Sequence, residues 1–295
     1  MPVFEARTIM DKFGLSQPVR RVEDMRFLRG TGRYVEDIAP AGALAMVFVR
    51  APVAHGEITT LDVSEAREAP GVHLVLTGAD LDAEIDNDMD AGRLPNRDGS
   101  MSVRPRRPIL AVGRVRHVGE PVACIIADSL AAAKDAADLV EVDYDTLPAV
   151  TNPARAEAEG QPQLHEEAEG NLCYDWGIGD EEATDAALAG AAHVVELELV
   201  NNRVVANPME TRGVVAEWED GHLTVHYNGQ GVWDLKKELA KRLSLDGSAV
   251  SVHTPDVGGG FGMKAMTHPE YFCAAVAARR LSRAVKWQAE RGEGF

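Results

Sequence analysis

The chain has 295 residues, 45% of them apolar and 26% charged, with a formal charge of −17. That is enough chain for about two domains with cores of their own. The acidic balance, without a Lys/Arg stripe interleaved with aromatics, excludes a nucleic-acid partner, and the longest apolar runs, residues 43–49 and 121–127, fall far short of the roughly 20 residues a membrane span needs.

Residues 1–19 read as a loosely attached N-terminal arm, because no hydrophobic period is present and Pro18 interrupts. They mix charges throughout and lack the apolar core and small-residue cleavage site of a secretory leader, so a cytoplasmic address is expected. Strands are predicted over residues 44–49, 58–63 and 72–76, with a short helix at 64–67 that Ser64 caps and a turn at Pro70 and Gly71. From Asp80 to about Arg107 the composition is Asp, Asn, Gly, Arg and Pro without period, a long surface excursion. A buried strand follows at 119–127, then a helix over 129–140 with Leu130, Ala133, Ala137 and Val140 on one face, and a closing strand at 141–144.

Residues 152–170 are rich in Glu, Ala, Gln and Pro and aperiodic, and mark a linker between a first domain (20–151) and a second (171–295). In the second, a helix is expected over 179–189, a long strand over 193–201 and a hairpin of 213–218 with 223–227 around Glu219, Asp220 and Gly221. An amphipathic helix over 233–243 leads to a short strand at 249–252, then a helix over 269–281 and a strand over 284–288. The fold class is α+β. Cys124, Cys173 and Cys273 lie far apart without a C-x-x-C, which leaves disulfide, zinc and iron–sulfur frameworks unsupported; each reads as a small buried apolar residue.

The most unusual stretch is residues 255–272, PDVGGGFGMKAMTHPEYF, where Gly258, Gly259, Gly260 and Gly262 surround Phe261. Glycine has no Cβ and accepts positive φ, so such a loop brings bare backbone N–H groups against a polar or anionic ligand. A Walker A loop is excluded, because Lys264 follows Met263 and precedes Ala265. The dinucleotide fingerprint fails too, since Met263 stands where its third glycine belongs. Tight strand-to-helix packing and a generic anion site are the remaining local alternatives. His222 and His226 lie four apart in the hairpin, with His253 near the glycines, but their polar surroundings read as solvated surface rather than a metal site.

VGGGFGMK, the upstream NPMETR (Asn207 to Arg212), RHVGEPVA (116–123), GTGRYVED (30–37), APGV (69–72), VEVDYDTLPAV (140–150) and VKW (285–287) resemble, collinearly over about residues 20–295, the large molybdopterin-binding subunit of the xanthine dehydrogenase/aldehyde oxidase/carbon monoxide dehydrogenase family. The resemblance implies an α/β hammerhead domain followed by the first, incomplete part of a molybdopterin-binding α+β domain. It places Gly259, Gly260, Phe261, Gly262 and Gln230 at a molybdenum–pyranopterin cofactor, either molybdopterin or its cytosine dinucleotide form. Backbone amides would face the metal's ligands there, and the Gln230 NH₂ would donate to an oxo group. No side chain binds the metal directly. Glu210 and Arg212 would pair with each other or with neighbours and hold the loop.

In xanthine-oxidising relatives a glutamate stands at the position of Ala265, so a purine substrate is not expected. The family's general base is a glutamate near the far end of the full-length subunit, and no acidic residue here matches it. The implied activity is oxidation of a small molecule, an aldehyde or N-heterocycle, with water as oxygen donor. Electrons would pass to [2Fe–2S] and FAD on partner subunits. A second molybdenum-domain chain is a further expected partner if the large subunit is split between genes, and a truncated frame is the competing explanation. The alternative reading is a non-catalytic partner or fragment of the same fold without cofactor.

Overall fold

The computed structural model describes residues 21–89 and 92–294; the arm expected over residues 1–19 and the terminal Phe295 lie outside them. The chain divides into two units, residues 1–33 and 34–295. In the first, α1 (Asp24–Leu28) is a short helix that buries no side chain.

In the second, β1 (Leu44–Arg50), β2 (Gly56–Asp62), α2 (Ser64–Glu68) and β3 (Val72–Thr77) follow in the predicted order. Ser64 is the first helical residue of α2 rather than its cap; the Asp62 carboxylate two residues earlier accepts the Ser64 N–H instead. α3 (Gly78–Asp82) opens the segment read as a surface excursion. Its capping box pairs the Thr77 hydroxyl with the Asp80 N–H and the Asp80 carboxylate with the Thr77 N–H. The excursion is not all surface, since Asn87 and Met89 are buried and Asn87 bridges the Gly78 carbonyl and the Ile109 amide.

β4 (Arg114–Val115), β5 (Pro121–Ala127), α4 (Leu130–Ala137) and β6 (Glu141–Thr146) come next. Ser129 caps α4 by accepting the Ala132 N–H. The helix turns Ala133 and Ala136 inward and leaves Leu130 half exposed, so the inner face differs from the predicted one. Small side chains let the helix lie close to the sheet, where a leucine would hold it off.

After residues 152–170 come α5 (Glu181–Ala189), β7 (Gly213–Glu219), β8 (His222–Tyr227), α6 (Val232–Arg242), β9 (Val250–His253), α7 (Pro269–Leu281) and β10 (Val285–Gln288). The β7–β8 turn has positive φ at Asp220 and Gly221, the mirror-image turn that matches strand twist. The strand expected over 193–201 does not form: residues 192–206 lack regular structure and make no backbone hydrogen bond among the described residues. Alternation marks a face, but a strand exists only through a ladder with a neighbour. Cys124 and Cys273 are buried as expected, whereas Cys173 is only partly so.

A seven-stranded sheet runs in the order β3-β5-β1-β10-β7-β8-β9, and a three-stranded one in the order β4-β2-β6. In the larger sheet β1 pairs antiparallel with β5 and parallel with β10, so elements on both sides of residues 152–170 share one ladder. β5 is buried on both faces. Cys124 and Ile126 meet the core under α7, and Ala123, Ile125 and Ala127 meet α4. α7 is buried at every position from Glu270 to Ala278, the mark of a helix enclosed on all sides.

The first turn of α7 places a carboxylate in that interior. Glu270 is 1% exposed and takes bonds from Arg212 at 2.7 and 3.2 Å and from Arg50 at 2.8 Å. Arg50 also reaches Glu293 at 2.8 Å and the Gly119 carbonyl at 3.3 Å. The Arg212 guanidinium lies 5.2 Å over the Trp287 ring, which meets Phe48 edge-on. Burial works against the charged form of Glu270, but the two guanidinium groups win and hold its pKa down to about 2, from an ordinary 4.5.

Glu270→Gln removes that charge and leaves two arginines short of a partner, so the variant loses about 3–5 kcal/mol, read from urea denaturation. Because the folded pKa lies below the unfolded one, Glu270 contributes stability above pH 4.5 that is lost as pH falls toward 2. The acid limb of the stability profile flattens in the variant.

Candidate functional site

The glycine loop runs from β9 to α7, and the connection from β8 to α6 lies beside it. Gln230 sits in that second connection, where its backbone N–H donates to the Lys264 carbonyl at 3.0 Å and its side-chain Oε1 accepts the Gly262 N–H at 3.0 Å. With Oε1 engaged, Nε2 is the donor that remains on this side chain. A Cβ on Gly260 would lie 2.5 Å from the Gln230 amide carbon, so this approach requires glycine. Gly229 is required in the same way, since a Cβ there would overlap the Tyr227 ring.

The loop backbone is left-handed at Gly259 (φ +97), Phe261 (φ +53) and Gly262 (φ +87). The phenylalanine is the strained member, and its ring is 77% exposed. The N–H groups of Gly259, Gly260 and Phe261 have no hydrogen-bond partner among the described residues. All five residues singled out in the sequence, Gln230, Gly259, Gly260, Phe261 and Gly262, are therefore brought together.

Beneath the loop lies an ion pair that the sequence did not reveal. Lys264 is fully buried and donates to Glu210 Oε2 at 2.9 Å, and the same oxygen accepts the Gly258 N–H at 2.8 Å. The Gly258 carbonyl returns a bond to the Glu210 N–H at 3.2 Å. Burial pulls the Lys264 pKa down, opposed by Glu210. Glu210 Oε1 is buried with no partner among the described residues. Glu210 and Arg212 thus pair with Lys264 and Glu270 rather than with each other.

Other side chains fix the strip around Glu210. Arg291 donates to Asn207 Oδ1, Pro208 O and Met209 O at 2.6–2.7 Å. Asn228, fully buried, donates to the Thr211 carbonyl and accepts the Gly213 N–H. Lys264, Asn228 and Arg291 escaped the sequence reading because their partners lie 15 to 84 residues away, beyond any local pattern. The hint lay in a lysine just after a glycine run and an unmatched glutamate upstream. His268, at the start of α7, lies 2.9 Å from the Met263 carbonyl; burial first and Arg212 second hold its pKa below the ordinary 6.5. His226 stacks on His253 and His222 bonds Ser251, away from the loop contacts.

A family model for a molybdopterin cofactor-binding domain matches residues 164–295, and one for the aldehyde oxidase and xanthine dehydrogenase a/b hammerhead domain matches residues 29–148. The chain is 39% identical over 285 residues to the nicotine 6-hydroxylase large subunit of Paenarthrobacter nicotinovorans, covering 95% of this chain and 34% of that protein. It is 36% identical to the carbon monoxide dehydrogenase large chain of Hydrogenophaga pseudoflava, covering 92% and 34%. Among solved structures, quinoline 2-oxidoreductase from Pseudomonas putida 86 superimposes with a TM-score of 0.81 at 36% identity, over 94% of this chain and 35% of that one. The chain spans about a third of the length of the relatives it matches.

Glu210→Ala strands the Lys264 ammonium and costs about 3–5 kcal/mol. Gly262→Ala, which meets open space at φ +87, costs only the roughly 1–2 kcal/mol of left-handed strain. Urea midpoints of the two variants rank them, and equal shifts would show that the ion pair does not support the loop. Because the His268 pKa is lowered in the folded chain, its contribution is complete above pH 6.5 and lost as pH falls below it. Stability profiles of the wild type and His268→Phe, compared between pH 7 and 5, read that loss.

Proposed function

The chain belongs to the xanthine dehydrogenase/aldehyde oxidase/carbon monoxide dehydrogenase family of molybdopterin-binding large subunits, and from that premise we propose that its glycine loop forms one wall of a molybdopterin site. It has the family's α/β hammerhead domain followed by part of the molybdopterin-binding domain. The observation that carries the site reading is the run of three unpartnered N–H groups at Gly259, Gly260 and Phe261, beside Gln230, whose Oε1 accepts the Gly262 N–H. The orphaned Glu210 Oε1 fits the same reading, since a buried carboxylate oxygen without a donor awaits one from outside the chain.

When bound, the molybdenum–pterin group supplies two-electron oxidation with the oxygen atom taken from water. The residues of this chain position it. Three fixed amides and the Gln230 NH₂ offer donors that need no reorganisation and carry no proton to lose, the arrangement that stabilises developing negative charge. Lys264 and Glu210 hold those amides in place from behind. Phe261, exposed beside them, screens the site from water. No acidic residue of this chain is assigned as general base; that group comes from the remaining part of the large-subunit fold.

The substrate class is an aldehyde or an N-heterocycle, and Ala265, small and exposed, offers no carboxylate to a purine. Relatives are called large subunit, large chain and complex subunit gamma, in keeping with electron transfer to [2Fe–2S] and FAD on partner chains. No helix among the described residues is long and apolar enough to cross a membrane, in keeping with a cytoplasmic complex.

The test is elemental and pterin analysis of the chain purified with the polypeptides that complete the complex. The expected result is about one molybdenum and one pterin per chain, and a complete complex without either would end the cofactor reading. Gln230→Ala keeps the metal and lowers turnover about 10²–10³-fold, the loss typical of one preorganised donor.

A further inference from the structure

Every residue from 174 to 205 is exposed. Within this stretch Val195 is 91% exposed, Leu197 76%, Leu199 78% and Val200 82%. No backbone group from 192 to 206 is hydrogen-bonded among the described residues. A run of large aliphatic side chains beside unpaired amides and carbonyls is a strand lacking its ladder.

The pattern says what kind of neighbour it lacks. In an extended chain Val195, Leu197 and Leu199 share one face, and Glu196 and Glu198 the other. A second copy fits poorly. Antiparallel self-pairing that keeps the apolar faces together and is centred on residues 196 to 198 sets Glu196 against itself, Glu196 against Glu198, or Glu198 against itself. Like charges directly opposite are destabilising. A matching strand is apolar on one face and carries Lys or Arg on the other.

The position of the segment points to its source. Its C-terminal end runs straight into Asn207, Pro208 and Met209, held by Arg291, and then Glu210, which holds the glycine loop. About two thirds of the length of these relatives lies outside the part matched here. Resting on the family reading above, we infer that residues 194–200 form a β-strand by pairing with a strand from that remaining two thirds of the large-subunit fold. Glu196 and Glu198 face basic side chains on the partner strand, and Val195, Leu197 and Leu199 enter its core. The pairing is β-augmentation, in which backbone bonds give affinity and alternate side chains give register.

The test co-expresses the chain with the part of the Paenarthrobacter nicotinovorans nicotine 6-hydroxylase large subunit outside the matched 34%, and follows hydrogen exchange. Amides 194–200 should slow by on the order of 100-fold in the complex and exchange freely in the isolated chain. The double variant Leu197→Lys/Leu199→Lys should leave the thermal midpoint of the isolated chain unchanged, because both side chains are exposed, yet abolish the complex. The inference is overturned if no complex forms, if these amides exchange equally fast in it, or if the double variant assembles normally. Protection that appears in the isolated chain and rises with its concentration would identify a second copy as the occupant and overturn it as well. Molybdenum content is read separately: a protected strand without metal ends the cofactor reading alone, and metal without protection ends this one alone.

Discussion

The carboxylate of Glu270 is the constraint on which the rest of the structure depends. A charge buried this deeply is tolerated only where partners surround it, and its partners come from the end of β1, from the strip after Asn207 and, through Arg50, from the turn at Glu293. Four segments far apart in sequence therefore meet at one point. Arg212, which grips Glu270, also stacks on Trp287 of β10, so electrostatics and the apolar core are joined through a single side chain. An uncompensated charge would be the outcome of any arrangement that separated them, which makes the interaction a device for geometry more than for net stability.

From that point the candidate site follows by short steps. Arg212 fixes the strip that carries Glu210, Glu210 fixes Gly258 and Lys264, and Lys264 fixes Gln230 through its carbonyl. Each contact is polar and directional, and together they leave the amides of Gly259 to Phe261 as the unsatisfied remainder. A loop with so much glycine would be floppy if it stood alone. Here the strain at Phe261 and the close approach of Gly260 to Gln230 are set by a rigid base.

What could be read from the sequence was local. The β7–β8 hairpin, α6, α7, β5 and the cap of α4 all rest on turn residues, period or an adjacent serine, and all formed. The five candidate residues could be singled out because a glycine cluster is rare and its neighbours form collinear motifs. Features governed by distant partners were not legible: the parallel pairing of β1 with β10, the Lys264–Glu210 pair, and the burial of Ala136 in place of Leu130. The strand read over 193–201 failed for the complementary reason, since its pattern is real but no strand among the described residues pairs with it.

The β1–β10 ladder also governs the timing of folding. Leu44 lies opposite Val285, so a ribosome must add about 240 residues after β1 before its neighbour exists, roughly 10–50 s at ordinary rates of synthesis. Over that interval β5 and β3 cover one side of β1 while its other edge stays open, and α7, which roofs the core, is also still to come. The nascent hammerhead half is thus a partly sided sheet with a long wait. Its vulnerability to wrong pairing is set by translation speed and chaperone cover rather than by the stability of the finished fold.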